Sequence, residues 1–189
     1  MVIMLDPGHG GKDPGATPEH PVEARINLHV ALMTQSYLRQ AGNDCLLTRT
    51  SHEQTVSLAD RVNIAKEFKP SCFVSIHSNA AANLSAAGFE VLYSGLNPGG
   101  KGLAEILATA YARSLPKRRH RMDRPGEPAR QRDRLFVLMN SPVPAAMMEL
   151  GFVSNDAERA WLLDPDNQLA MAQALRDGIL TWVRLDSSK

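Results

Sequence analysis

The chain has 189 residues, 43% of them hydrophobic and 22% charged, with a formal net charge of +1, which fits one packed domain at about 100 to 200 residues per domain. So even a charge balance gives no global argument for a nucleic-acid partner. No apolar run approaches the roughly 20 residues that span a bilayer, so a soluble protein without membrane insertion is expected.

The chain opens on a short apolar strand, Val2 to Leu5, which breaks into Asp6-Pro7-Gly8-His9-Gly10-Gly11. Glycines there let the backbone turn with positive φ and approach a ligand closely. Residues 22 to 41 predict a helix, with Val22, Ile26, Met33 and Tyr37 on a broad apolar face, Pro21 suited to its first turn and Gly42 as its stop. A second strand is expected over residues 45 to 48. A second helix is expected over residues 55 to 69, with Leu58, Val62 and Ala65 on one face and Pro70 ending it. The next apolar run, Cys72, Phe73, Val74 and Ile76, leads directly into His77. Neither Cys72 nor Cys45 lies in a metal or redox spacing, and each reads as a small buried strand residue.

Residues 88 to 93 read as a strand, Asn97-Pro98-Gly99-Gly100 as a turn, and Leu103, Leu107, Ala110 and Leu115 as part of a helix face. Residues 117 to 134 are basic and rich in breakers. They form a loop by composition, either a plain solvated connection or one that helps attract a polymer carrying carboxylates or phosphates. The absence of interleaved aromatics speaks against a nucleic-acid stacking surface. Two further strands are expected, over residues 135 to 138 and 145 to 149. Asp164-Pro165-Asp166, followed by Leu169, Ala172, Leu175, Ile179 and Trp182, predicts a long packed terminal helix. Strands alternating with helices imply an α/β fold with a mainly parallel sheet covered on both faces.

Ionisable groups stand at three expected strand ends: His9, His77 and Glu149. A carboxylate closing an apolar strand is costly unless it is paired, hydrogen-bonded or facing a metal, and ligands of open α/β sheets gather beyond the carboxyl ends of the strands. Glu149 alone could be a buried acid satisfied by a cap or an arginine, but three coincident strand ends favour a shared site. Glu23, in the first turn of the expected helix, is preferred as a further ligand over Glu19 in the preceding loop. His9, Glu23 and His77 would give one zinc ion three ligands and leave a position for water. Glu149, beside that water, would be the catalytic general acid/base. His20, His29, His52 and His120 have no companion ligand spacing and are expected in surface or packing roles. A mixed imidazole and carboxylate site also accepts other divalent ions.

These residues carry a resemblance. Asp6 to Ala16, Glu23 with Asn27 and Leu28, Leu47-Thr48-Arg49, Leu58 with Arg61, Ser75 to Ala80, and Glu149 to Asn155 together resemble the zinc-dependent N-acetylmuramoyl-L-alanine amidases of the type 3 family, over about residues 2 to 183. The resemblance implies a single catalytic domain with a twisted sheet of about six strands between helices. It also implies cleavage of the amide between N-acetylmuramic acid and the L-alanine of the peptidoglycan stem peptide. His9, Glu23 and His77 match the family's zinc ligands and Glu149 its catalytic acid. Arg49, Arg61 and Asn79 match supporting positions, where loop anchoring is the expected role.

Many cell-division members of that family carry an inserted helix that plugs the groove until a partner removes it. Here the interval between His77 and Glu149 is expected to hold little beyond one helix and the basic loop, so an open site that needs no activator protein is anticipated. The chain starts directly on its first strand without a secretory signal. That start suits either a trimmed exported domain acting in the periplasm or cell wall, or a phage-type lysin made in the host cytoplasm. Two rivals stand beside the amidase: a zinc peptidase or carboxypeptidase cutting within the stem peptide, and a wall-binding module without catalysis.

Overall fold

Alternation along the strands divides the apolar side chains between two layers. In β3 (Cys72–Asn79), Cys72, Val74 and Ile76 face one side and Phe73, Ser75 and His77 the other, as a period of two requires. The computed structural model, which describes residues 1–16 and 21–186, arranges β1 (Val2–Pro7), β2 (Asp44–Leu47), β3, β4 (Glu90–Tyr93), β5 (Arg130–Gln131) and β6 (Ala145–Phe152) in the order β2-β1-β3-β6-β4-β5. The β2-β1-β3-β6 pairings are parallel, and β4 runs antiparallel to β6. The expected six-stranded, mainly parallel α/β sheet is what the chain forms.

Ile3, Leu5, Val74, Ile76, Ala146 and Met148 pack on the larger core beneath α1 (Glu23–Gln40), α3 (Gly100–Ser114) and α6 (Pro165–Asp186). Met4, Phe73, Leu92 and Met147 form a smaller cluster with Val62, Ala65, Val137 and Leu138, which come from α2 (Leu58–Phe68) and α4 (Phe136–Asn140). Helices therefore cover both faces. Cys45 and Cys72 are buried and unbonded to each other, in keeping with their apolar contexts. Among the described residues no helix is long and apolar enough to cross a membrane.

Local chemistry explains the ends of these elements. Ser57 caps α2 by accepting from Asp60 N at 3.1 Å, so the helix starts at Leu58, three residues later than the periodicity suggests. Lys69 ends it in the left-handed region at φ 45°, directly before Pro70. Pro21 sits in the turn before α1 and Val22 is the cap, so the proline lies just outside the helix instead of in its first turn. Leu58 is 55% exposed and does not share the buried face of Val62 and Ala65.

Residues 135 to 138 are the clearest departure, because they begin the short helix α4 where a strand is expected from composition. An apolar run of four is compatible with either state. Here β3 and β4 occupy both edges of β6, the strand that follows it, and the segment turns to bury Val137 and Leu138 against the smaller core instead. The basic segment is a loop for most of its length, but it contributes the two-residue edge strand β5 and a bridge between His120 and Phe89. The helix α5 (Asp156–Leu163) is an element that periodicity does not reveal; Asn155 caps it through Ala157 N and Glu158 N.

Glu158, buried in α5, ties three segments together. Its carboxylate accepts from Gly88 N at 2.9 Å and Phe152 N at 3.3 Å and takes both terminal nitrogens of Arg118 at 2.6 and 2.7 Å. Burial acts to raise its pKa, but the hydrogen bond from Arg118 and those from the backbone overcome this and hold it below the ordinary range. A group shifted in that direction stabilises the fold above its unfolded pKa of about 4.3 and loses that contribution as pH falls through the folded value. Glu158→Ala leaves Arg118 without its partner and should cost about 3 to 5 kcal/mol at neutral pH. Thermal unfolding from pH 7 downward should show the gap between wild type and variant narrowing in acid.

Candidate metal centre

Two buried arginines fix the loop that carries His9. Arg49 donates Nε to Pro7 O at 3.0 Å and Nη2 to Gly8 O at 2.9 Å and Ala24 O at 2.7 Å. Arg61 donates to Pro7 O and His9 O, both at 2.8 Å, and forms a buried ion pair with Asp6 at 2.5 Å. Asp6 also accepts from Thr48 Oγ1 at 2.6 Å and Ser75 Oγ at 2.7 Å. The carbonyls that emerge from β1 are thus held by guanidinium donors, so Arg49 and Arg61 anchor the loop as expected.

His9 itself adopts φ 61°, a left-handed conformation that is uncommon outside glycine and persists where surrounding contacts impose it. The adjoining glycines have a more particular use than general pliancy. A Cβ on Gly8 would overlap the His77 ring, and one on Gly15, at φ 99°, would press on the Glu23 carboxylate. The space left by the missing side chains is filled by other residues of the same site.

α1 begins at Glu23 above the carboxyl edge of the sheet, which brings a helix-borne carboxylate between the two histidines. Glu23 Oε1 lies 3.0 Å from His9 Nε2 and 3.2 Å from His77 Nδ1, while the backbone amides of Ser78 and Ala16 donate to the two carboxylate oxygens at 3.2 and 2.9 Å. The His9 and His77 rings meet edge to face with centroids 4.8 Å apart. One nitrogen or oxygen from each of His9, Glu23 and His77 lies within 4.8 Å of the others, a grouping that could hold a metal ion. Asp13 Oδ2 lies 2.8 Å from His9 Nδ1, the carboxylate that orients a metal-binding imidazole in many sites. Sequence reasoning missed Asp13; its distance of four residues from His9 in a glycine-rich loop was the available signal.

The electrostatics of the pocket divide its two glutamates. Burial opposes the charge on Glu23, but hydrogen bonds and attraction from His77 and His9 prevail and hold it well below the carboxylate range. His9 is pushed the other way, up to about 9, because its bonds to Glu23 and Asp13 outweigh burial. Glu149 is raised to about 7 by burial, opposed by His77 and reinforced by Glu23 and Glu90. Its Oε2 is closed off from solvent without a hydrogen-bond partner. Glu149 pairs in register with His77 across β3 and β6, and with Glu90 across β4 and β6, so the three stand in one row on the α2 and α4 face.

The remaining sequence candidates fall elsewhere. Asn79 supports the loop through its backbone carbonyl, which accepts from Val153 N at 2.8 Å, and its side chain accepts from Ala80 N at 2.8 Å. His29 and His52 contact each other, and His120 stacks on Phe89 with centroids 4.4 Å apart; none joins the cluster. Glu19 and His20 lie outside the described residues. A cleft of about 540 Å³ opens beside His9 and His77, bordered by Arg61, Arg134, Phe136 and Met147. Gly8→Ala should displace His77 and weaken divalent-metal binding at least about tenfold, measured by competition with a metallochromic chelator, with little change in the melting curve.

A family model described as N-acetylmuramoyl-L-alanine amidase matches residues 3–181. The chain is 27% identical over 194 residues to the germination-specific N-acetylmuramoyl-L-alanine amidase of Bacillus subtilis, covering 96% of this chain and 79% of that protein. It spans 56% and 35% of the length of further cell-wall amidases that it matches at 31% identity. The catalytic domain of the amidase CwlV from Bacillus (Paenibacillus) polymyxa var. colistinus superposes with a TM-score of 0.85 at 31% identity, over 97% of this chain and 98% of that one. The CwlD amidase of Clostridioides difficile, solved in complex with the GerS lipoprotein, superposes with a TM-score of 0.87 at 27% identity, over 97% of this chain and 98% of that one.

Proposed function

The chain belongs to the N-acetylmuramoyl-L-alanine amidase family and is an enzyme of that class, and we propose that residues 2 to 183 form its catalytic unit, with one zinc ion held by His9, Glu23 and His77. The bond broken is the amide between the lactyl group of N-acetylmuramic acid and the L-alanine of the stem peptide, so the substrate is peptidoglycan and the place of action is the cell wall. The observation that carries the metal reading is the convergence of two imidazoles and one strongly ionised carboxylate from three separate segments. Neutral imidazoles and a carboxylate are zinc donors, and the donor set fits the ion. When bound there, zinc supplies Lewis acidity and brings the ionisation of a water molecule close to neutral pH.

The protein's own groups do the rest. His9 keeps its ring direction through Asp13, and Glu23 keeps its carboxylate direction through the amides of Ser78 and Ala16. Glu149 is the general acid/base: poised near neutrality, it takes a proton from the attacking water and returns it to the departing L-alanyl nitrogen. The products are a lactyl carboxyl group on the sugar and a stem peptide with a free amino terminus. A peptidase would instead release D-alanine or cut between stem residues.

The cleft beside the histidines supports an open site that works without an activator protein. α4 is the additional helix between His77 and Glu149: Val137 and Leu138 pack into the smaller core, and Phe136 and Val137, with Arg134 and Leu135 before them, form one wall of the cleft. CwlD is a relative found with a partner, so assay of the purified chain on peptidoglycan alone is the relevant measurement. Release of stem peptides without any added protein is the expected result, and turnover only on addition of a partner would overturn the open-site reading.

Mutation separates the two roles at the centre. Glu149→Ala should retain one zinc per chain and lose roughly 10²- to 10⁴-fold in turnover, whereas His77→Ala should lose both metal and activity. Metal analysis and mass spectrometry of digested peptidoglycan on the same samples distinguish them. Normal turnover by Glu149→Ala would reject its assigned role. A chelator should abolish wild-type activity, and added zinc should restore it.

A further inference from the structure

Most arginines of the basic segment are already committed to carboxylates. Arg118 pairs with Glu158, Arg121 with Glu90, Arg124 with Glu127, Arg130 with Glu90 and Asp123, and Arg132 with Asp123. Within the cleft, Arg61 is taken up by Asp6 and the loop carbonyls. Arg134 differs: it borders the cleft together with His9 and His77, is exposed, and its guanidinium makes no ion pair or hydrogen bond among the described residues.

Its backbone is nevertheless well held. The preceding Asp133 accepts from Ser94 Oγ at 2.9 Å, Gly95 N at 2.7 Å and Gln131 Nε2 at 2.6 Å, which fastens it to the end of β4. On the other side, Val137 and Leu138 are buried and Leu138 N bonds Leu135 O at 3.1 Å. A cation fixed between two anchors, facing a site and unpaired, is suited to an anion on the ligand. The planar fork of arginine matches a carboxylate in bidentate fashion.

We propose that Arg134 is a specificity-determining residue that binds the carboxylate of the acidic residue following L-alanine in the stem peptide. The inference rests on the amidase reading, which places the scissile amide at the metal centre. A residue beyond L-alanine then lies within two residues of that centre, about 7 Å along an extended chain, and so within the cleft. A substrate carrying a carboxamide at that position offers Arg134 no charge to bind.

The test compares the purified chain with Arg134→Ala and Arg134→Lys on two muropeptides, one with a free carboxylate and one with a carboxamide on the residue after L-alanine. Arg134→Ala should lower kcat/KM for the carboxylate substrate by about tenfold to a hundredfold, chiefly through KM, and leave the carboxamide substrate and the zinc content unchanged. Arg134→Lys should recover part of the loss. An equal effect on both substrates, or none on either, overturns the proposal. The same pair of ligands titrated calorimetrically into Glu149→Ala, with and without Arg134→Ala, keeps the two readings apart. Carboxylate preference that depends on Arg134 upholds this inference even if the wild type cleaves neither substrate, a result that would strike the amidase reading alone.

Discussion

Everything at the centre depends on how the backbone leaves β1. A chain emerging from a parallel sheet exposes carbonyls that have no strand partner, and in the interior such groups must find donors. Arg49 and Arg61 supply them to Pro7, Gly8 and His9, and Asp6 balances Arg61 from within the strand. The consequence reaches the side chain, since a backbone clamped in this way can hold His9 in a left-handed conformation that the residue would otherwise avoid. The two cations thus act at one remove from the chemistry: they hold carbonyls, the carbonyls hold the loop, and the loop aims an imidazole at Glu23.

The same pocket keeps two carboxylates in opposite states. Glu23 is surrounded by donors, two imidazoles and two backbone amides, so its charge is retained despite burial. Glu149 has an orphaned oxygen and acidic neighbours in Glu23 and Glu90, so burial prevails and its proton is held to near neutrality. Unlike environments for like residues let one pocket hold one carboxylate charged and another near neutrality, the division that the proposed roles of Glu23 and Glu149 require. Sheet register creates the difference: a place beside His77 on β3 and Glu90 on β4 is imposed on residue 149 by its position in β6.

Much of this centre is legible in the order of the amino acids. An ionisable residue that ends an apolar strand has few reasons to be there, as at His9, His77 and Glu149, and a place in the first turn of a helix marks Glu23; the fold brings His9, Glu23 and His77 within 4.8 Å of one another. Asp6 has the same placement: it closes the apolar run of β1 and is the buried partner of Arg61, Thr48 and Ser75. What is not legible depends on competition between segments. The run from Leu135 to Leu138 has a strand's composition, yet it folds as a helical turn that places Val137 and Leu138 in the smaller core beside Met4, Phe73 and Met147. Leu58 has a helical spacing, yet it falls on the first residue of α2 beside the cleft, where no helix covers it.

The basic segment shows the limit of composition most clearly. Read as charge alone, residues 117 to 134 suggest either a solvated connection or a lure for an anionic polymer. In the fold, Arg121, Glu90, Arg130, Asp123 and Arg132 form a ladder of alternating sign that passes through Glu90, the residue in register with Glu149. Arg121 also lies over the Phe152 ring at 4.9 Å. Charge that looks available for a partner is therefore largely internal, and it braces the edge of the sheet beside the row of His77, Glu149 and Glu90. Exposed pairs contribute little to stability, but Glu90 is buried and takes two arginines, so the ladder is strongest where it adjoins the site. Within the cleft itself, Arg61 is committed to Asp6 while Arg134 makes no ion pair among the described residues, so the charge that faces the site from this segment sits at one residue instead of along a basic strip.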